Sequence, residues 1–165
     1  CEHGRPAYGA LRGTLSNTTF AGEVPGSDKR FSFAVPLHSK GKTLCVFEAA
    51  IDALSYLTLL KLQGQDWRTA SVLSLGGVCG PKRTGGQKLP TALEQYLKDN
   101  PGVKRIVLCL DNDEPGRAAS AAIKDCLSTY EVIDCPPRCG KDYNDQLQIL
   151  KGISGRVKTR GGEAR

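Results

Sequence analysis

From Thr43 onward the chain alternates short apolar runs with segments of helical spacing, and this alternation restricts the fold more than any other feature. Runs such as TLCVFE (43–48) and VKRIVLCL (103–110) are typical of strands buried on both faces of a sheet. The order β-α-β-α-β-α-β with short connections predicts an α/β fold: a doubly wound parallel sheet of about four strands with flanking helices. The predicted strands cover 43–48, 71–75, 103–110 and 130–135, and the predicted helices cover 51–63, 90–99, 115–127 and 142–150.

The two ends of the chain differ in composition from this central part. Residues 8–37 contain short β-prone pieces separated by turn residues, which predict a small antiparallel β element. The last residues are rich in Gly and basic side chains, which predicts a disordered tail. The chain has 165 residues and no Met, which we interpret as the mark of an excised piece of a larger protein. The predicted parts are 1–42, 43–150 and 151–165, with further domains of the polypeptide expected outside them.

Acidic side chains follow three of the four predicted strands, at the point where each strand ends. The carboxyl ends of parallel strands form one edge of the sheet, where such folds bind their ligands. Ionised carboxylates gathered there repel one another unless a cation or a shared proton offsets the charge. Oxygen donors on turns suit Mg²⁺, and the lack of His and Cys among them argues against zinc. The residues are Glu48, Asp111, Asp113, Asp142 and Asp145.

Each of these acids also has a simpler interpretation as part of a helix start. Asp113 stands before Glu114-Pro115, a sequence typical of an N-cap followed by Pro in the first turn. Asp142 could cap the last helix in the same way, and Glu48 could favour the N-terminus of the helix after it. Capping does not explain why Asp111 and Asp113 both follow one strand, nor why three strands carry acids.

The charge and the cysteine content of the chain limit its possible partners, its cellular setting and its metals. The formal net charge of +6 permits a polyanionic partner without requiring one. Lys82, Arg83 and Lys88 form a basic stretch without acids in a loop that is either near nucleic acid or simply solvated. No apolar run approaches the length of a membrane span, so no membrane partner is expected. Seven Cys without a secretory feature predict a reducing, cytoplasmic setting. Cys135 and Cys139 could form half a zinc site that Cys1 and His3 would complete, but nothing in the sequence fixes these two in space, so zinc is not expected.

Four segments, taken in order, resemble the motifs of the Toprim domain: VFEAAIDALSY, SVLSLGG, VLCLDNDEPGRAAS and GKDYNDQL. This domain is shared by topoisomerases, bacterial primases, primase-helicases and some nucleases, and the resemblance spans 43–150. The D-x-D-x-x-G-R-A-A pattern at 111–119 is similar to the primase form more than to the topoisomerase form. The leading stretch resembles Toprim proteins of conjugative and other mobile elements. Ala49 departs from the family pattern, in which many members have Gly after the glutamate.

The resemblance implies a role for each candidate residue. Glu48 would be the general acid or base of nucleotidyl transfer, and Asp111 and Asp113 would hold Mg²⁺, with Mn²⁺ as a substitute. Asp142 and Asp145 would be auxiliary metal ligands. Lys141 and Arg117 would bind phosphate, and the loop that contains Lys82, Arg83 and Lys88 would lie near nucleic acid.

These roles predict a primase-like protein that synthesises primers from nucleotides on single-stranded DNA, in replication or transfer of a mobile element. A metal-dependent nuclease that uses the same acids is the first alternative. The second is a nucleic-acid-binding module that is inactive without the missing domains. A topoisomerase is disfavoured because none of the five Tyr is placed for strand cleavage.

Overall fold

A computed structural model of the chain describes residues 4–13, 20–35, 42–69, 71–78 and 88–153. Seven strands and four α-helices lie within these ranges. The strands are β1 (Ala10–Arg12), β2 (Ala21–Glu23), β3 (Ala34–Val35), β4 (Thr43–Phe47), β5 (Ser71–Ser74), β6 (Arg105–Leu108) and β7 (Glu131–Asp134). The helices are α1 (Ala50–Leu62), α2 (Thr91–Asp99), α3 (Glu114–Cys126) and α4 (Tyr143–Leu150). Each predicted strand and helix of the central part is present, with ends that differ by a few residues.

The main sheet has five strands in the order β3-β5-β4-β6-β7. β4 pairs in parallel with β5 on one side and with β6 on the other, and β6 pairs in parallel with β7. The chain therefore leaves β4 in one direction to form β5 and returns to its other side to form β6. Such a reversal opens a crevice at the carboxyl ends of the strands beside it. The crevice lies above β4 and β6.

Two separate apolar clusters cover the two faces of this sheet. On one face, side chains of β4 and β6 such as Leu44 and Ile106 pack with Leu93 of α2 and Ile123 of α3. On the other face, Phe47 packs with Leu57 of α1 and Tyr143 of α4. The protein thus has three layers, two helices on each side of a largely parallel sheet, and the predicted fold class is confirmed.

The N-terminal part differs from its prediction in one respect. β1 and β2 form the expected small antiparallel pair, but β3 joins the main sheet, antiparallel to β5. The sheet therefore has five strands rather than about four. Without β3, the outer side of β5 would expose unpaired backbone N–H and C=O groups, which edge strands need to cover. The boundary at residue 42 stays a prediction, and most of the predicted disordered tail, residues 154–165, lies outside the described residues.

The starts of α3 and α4 bring the acidic loops to the crevice. Asp113 and Asp142 are extended N-cap residues, each accepting a hydrogen bond from a backbone N–H in the first turn of its helix. Within the ranges that the structure describes, no helix is both long and apolar enough to cross a membrane.

Candidate active site at the carboxylate edge

Three acids meet above the central strands, and we call them the carboxylate edge: Glu48, Asp111 and Asp113. Glu48 directly follows β4, and Asp111 and Asp113 follow β6, the strand paired with β4. The Asp111 residue is only 7% exposed, and Cys109 and Leu110, which connect it to β6, are also buried. The sequence prediction that strand ends would bring these acids to one place is therefore met for β4 and β6.

The ammonium group of Lys141 lies between two of these carboxylates. Its Nζ is 3.1 Å from Asp111 Oδ2 and 3.2 Å from Asp113 Oδ2. Lys141 comes from the loop between β7 and α4, so the last parallel strand contributes a cation to the edge rather than only further acids. Charge-assisted hydrogen bonds of this kind are stronger than neutral ones, and two of them fix the direction of the lysine side chain.

The electrostatics of the edge reflect burial and this cation. Burial raises the pKa of Asp111, the Lys141 hydrogen bond opposes the rise, and nearby Asp142 adds to it. Burial also raises the pKa of Glu48, and the charge of Asp111 raises it further, while Lys141 lowers it. For Asp113 the hydrogen bond from the Gly116 N–H lowers the pKa. Burial alone would lower the pKa of Lys141, but its bonds to Asp111 and Asp113 raise it.

The backbone around Lys141 is held in place from both sides. The Asn112 N–H donates to the Lys141 carbonyl at 2.7 Å, which joins the loop after β6 to the loop after β7. The Lys141 N–H donates to Asp145 Oδ2 at 3.1 Å, and the Asp145 N–H donates to Asp142 Oδ1 at 2.7 Å. Asp142 and Asp145 thus use carboxylate oxygens to fold the 140–145 loop. Their predicted role as auxiliary metal ligands stays a prediction.

Gly116 allows α3 to approach the carboxylate edge closely. A Cβ atom at this position would collide with the backbone carbonyl of Asp111. The neighbouring Arg117 is also used locally: its Nε donates to the Asp111 carbonyl at 3.1 Å and its Nη2 to the Leu110 carbonyl at 2.8 Å. Its Nη1 pairs with Asp134 at 2.7 Å. Its predicted role as a phosphate ligand stays a prediction, and to bind a phosphate Arg117 would have to exchange at least one of these contacts for it.

Asp52 is a buried acid that the sequence analysis did not include among the candidates. It is 4% exposed on α1, one turn after Glu48, and its Oδ1 accepts the Asn144 N–H of α4 at 3.3 Å. Burial raises its pKa to about 7, with Asp142 and Asp111 adding to the rise. Ser55 makes a second link, to the Asn144 side chain at 3.4 Å. The signal for Asp52 in the sequence is an acid one helical turn from Glu48, in a helix whose other residues are mostly apolar.

The loop after β5 supports Glu48. The Gly77 N–H donates to the Glu48 carbonyl at 2.9 Å, and a hydrogen bond from the Val78 N–H to the Glu48 carboxylate lowers its pKa. Lys29 in turn donates to the Gly76 carbonyl at 2.9 Å and pairs with Glu23 of β2 at 3.0 Å. The N-terminal β pair therefore buttresses the loop that orients Glu48.

The predicted basic residues of the loop before α2 are placed only in part. Lys82 and Arg83 lie outside the described residues, while Lys88 is exposed just before α2. Their predicted position near nucleic acid stays a prediction.

The oxygen donors at the edge suit Mg²⁺ better than Zn²⁺, which favours Cys and His ligands. Within the described residues, no group of three or more His, Cys, Asp or Glu is arranged to hold a metal ion. Asp111 and Asp113 nevertheless direct oxygens at one cation, the lysine ammonium, and hard oxygen donors suit Mg²⁺. Cys135 and Cys139 are free thiols, and Cys135 Sγ lies 3.7 Å from the Tyr143 hydroxyl. Cys1 and His3, the remaining members of the zinc set that the sequence allowed, lie outside the described residues.

A comparison with models of protein families agrees with the motifs. The model of the Toprim-like family matches residues 45–147. No curated protein sequence matches the chain significantly. Among solved structures, the crystal structure of the primase fragment of the bacteriophage T7 primase-helicase protein is similar, with 23% sequence identity and a TM-score of 0.41. The match covers 68% of this chain and 41% of that one. The family match confirms the Toprim resemblance.

Proposed function

The chain belongs to the Toprim-like family, and from that premise we propose that its carboxylate edge performs magnesium-dependent nucleotidyl transfer in a primase-like protein. The observation that carries the proposal is the convergence of Asp111 and Asp113 on the ammonium group of Lys141. Its Nζ lies 3.1 and 3.2 Å from the two carboxylates, beside the half-buried Glu48. A structural helix cap needs no second acid and no cation. A phosphoryl-transfer site needs both, because charge develops on the phosphate oxygens during the reaction.

In this proposal Asp111 and Asp113 would hold Mg²⁺ or Mn²⁺. The ion would neutralise phosphate charge and orient an in-line displacement when it is bound. Asp113 can take this role while it caps α3, because Oδ1 accepts the Gly116 N–H and Oδ2 faces the cation. Asp142 and Asp145 would support the site through the 140–145 loop.

Glu48 would move the proton of the reaction. Its carboxyl pKa is raised by burial and by Asp111, which brings it closer to neutral pH than that of an exposed glutamate. A general base works best when its pKa lies near the working pH. Glu48 Oε would accept the proton of an attacking 3′ hydroxyl, and the Gly77 and Val78 N–H groups would keep the residue oriented toward the crevice.

The proposed substrates are single-stranded DNA and nucleotides, with further domains of the same polypeptide as partners. The support is the primase-like form of the motif at 111–119 and the basic surplus of the chain. Lys82, Arg83, Lys88 and Arg117 are the proposed phosphate contacts. The resemblance of the leading stretch supports a mobile-element setting, and the free thiols Cys45 and Cys109 suit a reducing cytoplasm. The proposed functional unit is 43–150.

One denaturing gel tests this proposal. The whole chain is incubated with labelled single-stranded DNA, labelled nucleotides and Mg²⁺ or Mn²⁺, beside Glu48→Gln and the control Glu94→Gln. Glu94 is an exposed acid of α2 paired with Lys98, so its amide should leave activity unchanged.

New short products that disappear in Glu48→Gln and persist in Glu94→Gln would support nucleotidyl transfer. A shortened template that is seen with the wild type and Glu94→Gln but not with Glu48→Gln would instead support a nuclease. Unchanged template without products would contradict both enzymatic functions and leave the binding module.

A further inference from the structure

The carboxylate edge already contains a cation that belongs to the chain. Lys141 Nζ contacts Asp111 Oδ2 and Asp113 Oδ2, the oxygens that the proposed function assigns to a divalent metal. The lysine reaches them from the solvent side, since its side chain is 55% exposed while that of Asp111 is 9% exposed. A bound metal ion and this ammonium would compete for the same two oxygens.

The backbone of the 140–145 loop is fixed by hydrogen bonds, so the side chain of Lys141 can move while the backbone stays in place. The Lys141 carbonyl is held by the Asn112 N–H and the Lys141 N–H by Asp145 Oδ2. At the preceding position, Gly140 has a φ of 76° and lies against Asp145, so this turn has a defined shape. A lysine stem of four flexible carbons can swing away from a fixed backbone at little cost.

We propose that Lys141 is a tethered counter-cation of the Asp111–Asp113 pair, which a divalent metal displaces and which then binds a backbone phosphate of single-stranded DNA. This inference rests on the proposed function, because it concerns the metal and the DNA of that site. In the metal-free state the ammonium offsets the repulsion between the two carboxylates. In the metal-bound state the ion takes over that task, and the lysine is left with no carboxylate partner beside the incoming phosphate.

The exchange makes metal and DNA binding depend on each other. If the metal frees Lys141 for phosphate, then metal strengthens DNA binding, and DNA must strengthen metal binding by the same factor. A lysine that merely bound phosphate would add to DNA affinity equally with and without metal.

The first experiment measures Mn²⁺ affinity by calorimetry on the whole chain without nucleic acid. Lys141→Met should bind Mn²⁺ about tenfold more tightly than the wild type, because two ion pairs no longer have to be broken. Lys141→Arg, which keeps the charge, should stay within about threefold of the wild type. Lys98→Met is the matched control, since Lys98 forms its ion pair on α2 and its loss should not change the affinity.

The outcomes separate this inference from the proposed function. Equal Mn²⁺ affinities of wild type and Lys141→Met would overturn the competition and leave the metal site in place. If neither protein binds Mn²⁺, the proposed metal site fails and the inference fails with it. A gain in Lys98→Met equal to that in Lys141→Met would reduce the effect to net charge and would also overturn the inference.

The second experiment tests whether Lys141 binds phosphate once the metal has displaced it from the carboxylates. A fluorescent single-stranded oligonucleotide is titrated with wild type or Lys141→Met, with and without saturating Mn²⁺, and its anisotropy is followed. Mn²⁺ should strengthen DNA binding to the wild type about fivefold more than to Lys141→Met. An equal enhancement in the two proteins would overturn the transfer to phosphate.

Discussion

The two loops that meet above β6 and β7 use the same residue types for different ends. In the 111–113 loop, Asp113 caps α3 with one carboxylate oxygen and turns the other, together with Asp111, toward a cation. In the 140–145 loop, Asp142 also caps its helix, but Asp145 accepts the backbone N–H of Lys141. The 111–113 loop keeps carboxylate oxygens available for a cation. The 140–145 loop uses its acids to fix its own backbone and contributes a cation, the Lys141 ammonium group.

This difference shows why an acid at a strand end is weak grounds for a ligand role on its own. Asp113 and Asp142 have the same cap geometry and the same position before a helix. What marks Asp113 is its second carboxylate oxygen, which lies 3.2 Å from Lys141 Nζ.

The 111–113 loop is most sensitive to the space at Gly116. Gly116→Ala would force its Cβ into the Asp111 carbonyl, which also accepts a hydrogen bond from Arg117 of α3. We expect a loss of about 3 kcal/mol in the free energy of unfolding, measured by urea denaturation. Gly102→Ala is the control, because nothing lies within 4 Å of its Cβ position. Equal losses in the two variants would contradict the close approach of α3.

The 140–145 loop depends on Asp52 in a way that changes with pH. The raised pKa of Asp52, about 7 against 3.8, means that the folded chain binds a proton more tightly than the unfolded chain. Stability therefore falls as the pH rises from about 4 to 7 and levels off above it. Asp52→Asn keeps the acceptor for Asn144 without the charge, so it should remove this dependence on pH.

We expect Asp52→Asn to be more stable than the wild type by about 2 kcal/mol at pH 8, with a difference that shrinks as the pH falls toward 4. Urea denaturation of both proteins across this range measures it. Glu114→Gln, an exposed acid in the first turn of α3, serves as the control. A difference that does not vary with pH would contradict the buried, proton-binding state of Asp52.

The two caps should cost the same when removed. Asp113→Ala and Asp142→Ala each delete one hydrogen bond to a first-turn N–H, and each should lower the free energy of unfolding by about 1 kcal/mol in metal-free buffer. Thermal denaturation of the pair measures this directly. A loss of unfolding free energy several times larger for Asp142→Ala than for Asp113→Ala would contradict this, and would mean that the Asp142 cap stabilises more of the 140–145 loop than one helix turn.

Much of the fold could be predicted because its signals are local. The apolar run that forms β4 and the acid that follows it are visible without knowledge of the rest of the chain. The start of α3 is equally visible, because Asp113 is a typical N-cap and Pro115 is typical of a first turn. β3 could not be assigned to the main sheet, because two residues carry no period and the edge they cover belongs to β5, far along the chain.

The site could be predicted only as a set of residue types. The sequence placed Glu48, Asp111 and Asp113 at one edge, but it assigned Lys141 to phosphate and gave no reason to place it between two aspartates. The burial of Asp52 was equally hidden, since it depends on α4 packing against α1. Contacts between distant segments decide both, and no local pattern records them.

The most direct test of the account is a comparison of Mn²⁺ binding by wild type, Asp111→Asn and Asp145→Asn, each titrated by calorimetry in the same low-salt buffer. Asp111→Asn should lose at least a hundredfold in affinity, because a cation-facing carboxylate of the 111–113 loop is gone. Asp145→Asn should stay within about threefold of the wild type, since its Oδ2 faces a backbone N–H. Equal affinity in wild type and Asp111→Asn, or an equal loss in both variants, would contradict the division of labour between the two loops.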